Sequence, residues 1–171
     1  ILYAYAFGKA QRILAGVDAS IGPVIVHGAV DVINAYYRSE GVHLPNALHA
    51  NDPSVTLDQI QRALVLAPPL AKGTPWLKRF KNASDGFASG WMRVRGNRRR
   101  KSVDRGFVLS DHADFDELNR AIRESGAERV LATHGTSDAL VRWLNEGGLN
   151  AETLNTEYGD ELEIGAGASP A

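Results

Sequence analysis

Two histidines carry the clearest chemical signal in the chain. His112 sits in the cluster SDHAD at residues 110–114, and His134 follows 22 positions later in Thr133-His134-Gly135. Imidazole titrates near neutral pH and is the commonest metal ligand, so two that faced one pocket could hold a metal ion or move a proton. The sequence contains no cysteine, so neither a disulfide framework nor a thiolate metal site can form. Any metal must be held by His, Asp or Glu. His27 ends another apolar run in Val26-His27-Gly28, where a turn or packing role is the simpler reading. His43 and His49 fall in a loop rich in Pro, Asn and Asp, and no partner for them can be argued from sequence.

The elements that must position His112 and His134 read as strand, helix, strand. Phe107, Val108 and Leu109 form an apolar run into SDHAD, and Val130, Leu131, Ala132 and Thr133 form another into His134-Gly135. Between them Phe115, Leu118, Ala121 and Ile122 recur at helical spacing. Asp114 with Glu117 three residues on is a capping-box start, and Gly126 is a stop. A right-handed crossover would lay the two strands side by side and parallel, with both histidine turns on one edge of the sheet. Other segments alternate in the same way. A helix is expected over residues 8–14 with a stop near Gly16, a buried strand over 23–26, and a helix from Ala29 to about Gly41. A strand follows at 64–67, then a helix opened by Thr74-Pro75, a strand with a glycine break at 87–92, a helix capped by Thr136, and a last strand at 151–154. The pattern predicts an α/β fold with a mostly parallel sheet and flanking helices. The GAGASPA tail, residues 165–171, reads as disordered.

Charge is strongly segregated. Residues 76–105 carry ten basic and two acidic side chains, a local charge of +8, whereas residues 106–171 carry four basic and thirteen acidic, a local charge of −9. A basic segment beside an acidic one suits a phosphate backbone led toward a site that binds cations. A solvated loop is the plainer alternative. Arg98, Arg99, Arg100 and Lys101 form the densest run, and arginine matches phosphate geometry with paired hydrogen bonds. Lys9 and Gln11 stand near a helix N-terminus, a natural place to face a phosphate. Ser89-Gly90 would let a backbone or a phosphate approach closely. Trp76 and Trp91 could stack on unpaired bases or belong to the core. No apolar run approaches the roughly 20 residues that a membrane helix needs, and nothing resembles a signal peptide, so a cytoplasmic location is expected.

SDHAD followed by a helix, a strand and THG resembles the closing part of a metallo-β-lactamase-fold nuclease of the β-CASP group. The match extends to YAFGKAQRIL, residues 5–14 within the stretch Tyr3–Leu14, to GPVIVHGAV at 22–30, and to FASGWM at 87–92 ahead of the arginine run. Together these motifs resemble the ligase-associated DNA exonuclease subfamily, often labelled mRNA 3′-end processing factors. The resemblance implies a β-CASP domain over residues 1–105, truncated at its start, and the closing segment of a metallo-β-lactamase αββα fold over residues 106–171. It implies two divalent metal ions, zinc or manganese, with His134 as a ligand. It implies that His112 contacts the scissile phosphate and protonates the leaving oxygen, held by Asp114 or Asp111. It implies DNA as the substrate and a DNA-repair role with an ATP-dependent DNA ligase and a helicase as partners. The family's H-x-H-x-D-H motif is absent from this sequence, and one imidazole cannot hold a zinc ion that needs three or four ligands. The 171-residue chain is therefore expected to be inactive alone, as the C-terminal part of a longer enzyme. Two alternatives stand beside this reading: a β-CASP ribonuclease that processes RNA, and a non-catalytic nucleic-acid-binding module.

Overall fold

The computed structural model describes residues 1–94, 96, 102–133 and 137–154. The chain divides into two compact units, Ile1–His112 and Ala113–Ala171. The first unit is an α/β layer structure built on a six-stranded, wholly parallel sheet. Its strands are β1 (Leu2–Tyr3), β2 (Val24–Val26), β3 (Leu48–His49), β4 (Leu64–Ala67), β5 (Gly86–Ala88) and β6 (Arg105–Phe107). They lie in the order β3-β2-β4-β1-β5-β6. Among the described residues its α-helices are α1 (Lys9–Gly16), α2 (Gly28–Ser39) and α3 (Leu57–Arg62).

Strand residues alternate between two apolar layers, as the period of two requires. Ala4, Val24, Val26, Leu66 and Ala88 pack with Ala10, Ile13 and Leu14 of α1 and Val30 of α2. Their neighbours Tyr3, Ala67 and Phe87 meet Met92, Trp76 and Val103, while Ile25 and Val65 meet Phe80 and Ile60. With both faces covered, the strands read as continuous apolar runs, the signature of a parallel sheet.

Strand order fixes where loops diverge. From β1 the chain crosses toward β2, and from β5 it crosses the opposite way, to β6. Right-handed crossovers in opposite directions leave the sheet on opposite faces. The loops after β1 and β5 therefore part at the C-terminal edge between two adjacent strands, the switch point where open α/β sheets bind ligands.

The second unit has α4 (Phe115–Glu124), β7 (Val130–Ala132), α5 (Ser137–Glu146) and β8 (Ala151–Thr153), with β7 and β8 paired in parallel. Asp114 caps α4 as expected: its Oδ1 accepts from Glu117 N at 2.8 Å, and Glu117 Oε2 accepts from Asp114 N at 3.2 Å. Gly126 ends the turn after it at φ +63°, a conformation that glycine adopts without strain. Asn119 ties α4 to α5, donating to Phe115 O at 2.7 Å and accepting from Trp143 Nε1 at 2.9 Å.

One expected pairing is not formed. The strand before His112 is β6, at 105–107 rather than 107–109, and it pairs with β5, while β7 pairs with β8. Residues 106–112 thus belong to the first unit. The register is pinned at its start, where Asp85 N donates to Asp104 Oδ2 and Asp104 N to Asp85 Oδ1, both at 2.9 Å. The Phe107 ring then lies across Gly86, where a Cβ would come within 2.8 Å of it. The expected strand at 87–92 also ends early. After Ala88 the chain turns into a 3-10 helix at Gly90–Arg93, capped by the Ser89 hydroxyl, which accepts from Trp91 N at 3.3 Å. The cap Thr136 and the tail at 165–171 lie outside the described residues.

Candidate functional site

Three loops of the first unit meet at the switch point, and each carries a stretch singled out by sequence. The loop after β1 turns at Gly8, φ +76°, so that α1 begins with Lys9. A side chain at position 8 would be forced within 3.1 Å of Asp111 Oδ2. Lys9 itself is 3% exposed, and its Nζ lies 2.9 Å from Asp111 Oδ1 and 5.0 Å from the Tyr5 ring centre. One turn on, the Arg12 guanidinium donates to Ser110 O. The hydroxyl of Ser110 accepts from His112 N at 3.1 Å. From the third loop, Gly90 packs so closely that a Cβ there would be 3.3 Å from Ser110 Cβ. The SDH stretch is therefore gripped by α1 on one side and by the β5 loop on the other.

His112 is what this grip presents. Its side chain is 84% exposed, and its Nε2 lies 3.9 Å from Asp111 Oδ1, in electrostatic contact but beyond hydrogen-bond length. Burial opposes ionisation of Asp111. The hydrogen bond from Lys9, one from its own backbone N–H and the charges of Lys9 and His112 more than offset this, and the carboxyl stays below its ordinary value. Asp111 thus holds Lys9 directly and faces His112 at the longer distance. Asp114, the other carboxylate expected to hold His112, is engaged as the cap of α4.

Two proposed phosphate contacts are corrected by burial. Lys9 turns inward to its carboxylate, and Gln11, 2% exposed, donates to Ala6 O at 3.0 Å and to Asn34 Oδ1 of α2 at 2.8 Å. Both faced the right end of the helix, but α1 packs that side onto the sheet. Ser89 is also buried and acts as a cap, while Gly90 does provide a close approach, to Ser110. Arg98, Arg99, Arg100, Lys101 and His134 lie outside the described residues.

A second histidine pair gives no sign of itself in the sequence. His27 and His49 end the adjacent strands β2 and β3, with His49 in register with Val26. Each Nδ1 accepts a backbone N–H, from Ala29 at 3.1 Å and from Asn51 at 3.2 Å. The His27 ring packs edge-on against Trp76 at 4.8 Å, and burial, then the neighbouring His49, holds its pKa below the ordinary value. Only the strand pairing brings the two together, and the two-residue β3 leaves no periodic signal.

Among the described residues, no group of three or more His, Asp or Glu side chains is placed to hold a metal ion. Also among the described residues, no helix is long and apolar enough to cross a membrane.

Against known proteins, no family model and no solved structure matches the chain. A probable DNA ligase of Opitutus terrae is 28% identical over 170 residues, covering 99% of this chain and 16% of that protein. The chain therefore spans about a sixth of the length of the curated relative it matches.

Proposed function

We propose that the chain is the C-terminal part of a β-CASP metallo-β-lactamase-fold nuclease that hydrolyses phosphodiester bonds of DNA. The observation that carries this reading is the SDH loop: an exposed imidazole held on a gripped backbone at a sheet edge that suits ligand binding. His112 presents a proton donor for the leaving oxygen, work that contributes about 100-fold or more to such rates. His134 is this chain's contribution to a pair of divalent metal ions, zinc or manganese. With no H-x-H-x-D-H motif, the 171 residues alone are not a competent enzyme. The relative's printed name, a probable DNA ligase, supports a role in DNA metabolism. The motif resemblance alone suggests the rest of the proposal: DNA repair with an ATP-dependent ligase and a helicase as partners, in the cytoplasm.

The full-length gene product, purified with zinc or manganese, is tested on single-stranded DNA and RNA labelled at either end. His112→Ala and His134→Ala variants run beside it. Metal-dependent shortening of DNA, lowered about 100-fold or more in His112→Ala and abolished in His134→Ala, is expected. Cleavage of RNA alone would replace the substrate with RNA. Salt-dependent binding without any cleavage would leave a nucleic-acid-binding module in place of a nuclease.

A further inference from the structure

We infer that Tyr5, Phe7 and Trp91 form a stacking surface for unpaired nucleobases beside His112. The inference rests on the nucleic-acid reading above and specifies the strand that the site accepts.

Three large rings stand in solvent on the two loops that part at the switch point. Tyr5 is 55% exposed, Phe7 70% and Trp91 58%. Tyr5 and Phe7 follow β1, Trp91 follows β5, and these strands are paired with Tyr3 in register with Phe87. Contacts bring both loops to the same three residues. The Tyr5 ring lies against the Lys9 ammonium that binds Asp111, and Gly90, one residue before Trp91, packs on Ser110. The rings therefore flank the loop that ends in His112. Phe7 is held edge-on by Tyr37 at 6.1 Å, so its orientation is set although most of it is exposed.

Folding gains nothing from rings left in water, and such exposure in a group marks an interaction surface. Charge selects the occupant. Asp111 is the one carboxylate in the three loops, residues 4–8, 89–93 and 108–112, and Lys9 neutralises it. Arg12, which donates to Ser110 O, and Arg93, two residues after Trp91, are exposed, and residues 76–105 carry +8. Aromatic faces set among cations suit a polyanion that offers flat rings, which is a single strand of nucleic acid. A duplex keeps its base faces stacked inside.

Binding is measured with the full-length protein in EDTA, so that cleavage plays no part. The probes are single strands of oligothymidylate and oligouridylate of about 12 nucleotides, the matching DNA duplex, and an abasic single strand of equal phosphate number. Tyr5→Ala, Phe7→Ala and Trp91→Ala are each expected to weaken binding to one or both single strands roughly ten-fold. The salt slope stays unchanged, and duplex and abasic affinities change little. Trp91→Phe keeps a ring and retains most of the affinity, which separates stacking from misfolding. Which base-bearing strand responds tells DNA from RNA. Variants that bind these strands normally, or that lose duplex and abasic binding equally, would overturn the stacking surface while leaving the nuclease reading intact. A wild-type protein that binds neither single strand would overturn both.

Discussion

A buried lysine paired with a partly buried aspartate is the chemical centre of the first unit. Lys9 and Asp111 gain little net stability as a pair, because each gives up water to meet the other, but removing one partner strands the other's charge. Lys9→Met should therefore destabilise the protein by about 1–3 kcal/mol at neutral pH. The pH dependence tells charge from packing. The folded pKa of Asp111 is depressed, so its contribution is present above the ordinary carboxylate value of about 3.9 and is lost as pH falls through the folded value. Denaturant midpoints of wild type and Lys9→Met should draw together as pH falls below about 3.9 and through the folded value of Asp111. A gap of constant size would assign the loss to packing of the lysine stem instead. The sequence shows SDHAD and GKAQ as motifs, but not that one locks the other. An N-terminal lysine on an amphipathic helix reads as solvated, and only its 3% exposure shows otherwise.

Elements are legible where the chain announces them locally. The Asp114–Glu117 box, the Gly126 stop and the runs at Val24–Val26 and Leu64–Ala67 depend on residues a few positions apart, and all form close to expectation. Pairings set from afar are not legible. The register of β6 comes from the Asp85–Asp104 exchange, which moves the strand two residues upstream of the apolar run. The start of α2 is a local feature with a long-range consequence. His27 caps it through Nδ1, and protonation of that atom removes the acceptor. Burial, then the nearby His49, lowers the folded pKa of His27. Its contribution is thus full above the unfolded value of about 6.5 and falls as pH drops through the folded value. Asparagine is as good a cap and does not titrate. Between about pH 8 and pH 5, the melting temperature of wild type should fall more steeply than that of His27→Asn, and His27→Ala should cost about 1 kcal/mol at the upper end. Parallel slopes for wild type and His27→Asn would place the titration elsewhere.

At the scale of the whole molecule, the order β3-β2-β4-β1-β5-β6 decides what the motifs can become. The first strand in the chain lies inside the sheet, between β4 and β5, which come far later in the sequence. No local pattern carries that information, so the meeting of the β1 and β5 loops at SDH was not foreseeable from sequence, whereas the α/β class was. Charge, by contrast, is readable without a fold. The +8 of residues 76–105 faces no comparable acidity in residues 1–75, which carry five basic and five acidic side chains. A polyanion held there releases counterions in proportion to the phosphates neutralised. Replacing Arg98, Arg99, Arg100 and Lys101 by alanine should lower affinity for any strand, paired or not. It should also flatten the plot of log affinity against log salt by up to about 3, at roughly 0.7–0.9 for each phosphate no longer neutralised. This signature is the opposite of that expected for Trp91→Ala, which lowers affinity for unpaired strands alone and leaves the slope untouched. An unchanged slope in the four-residue variant would make the run a solvated segment that no phosphate touches. The basic charge needed for binding would then rest on exposed cations such as Arg12 and Arg93 at the sheet edge.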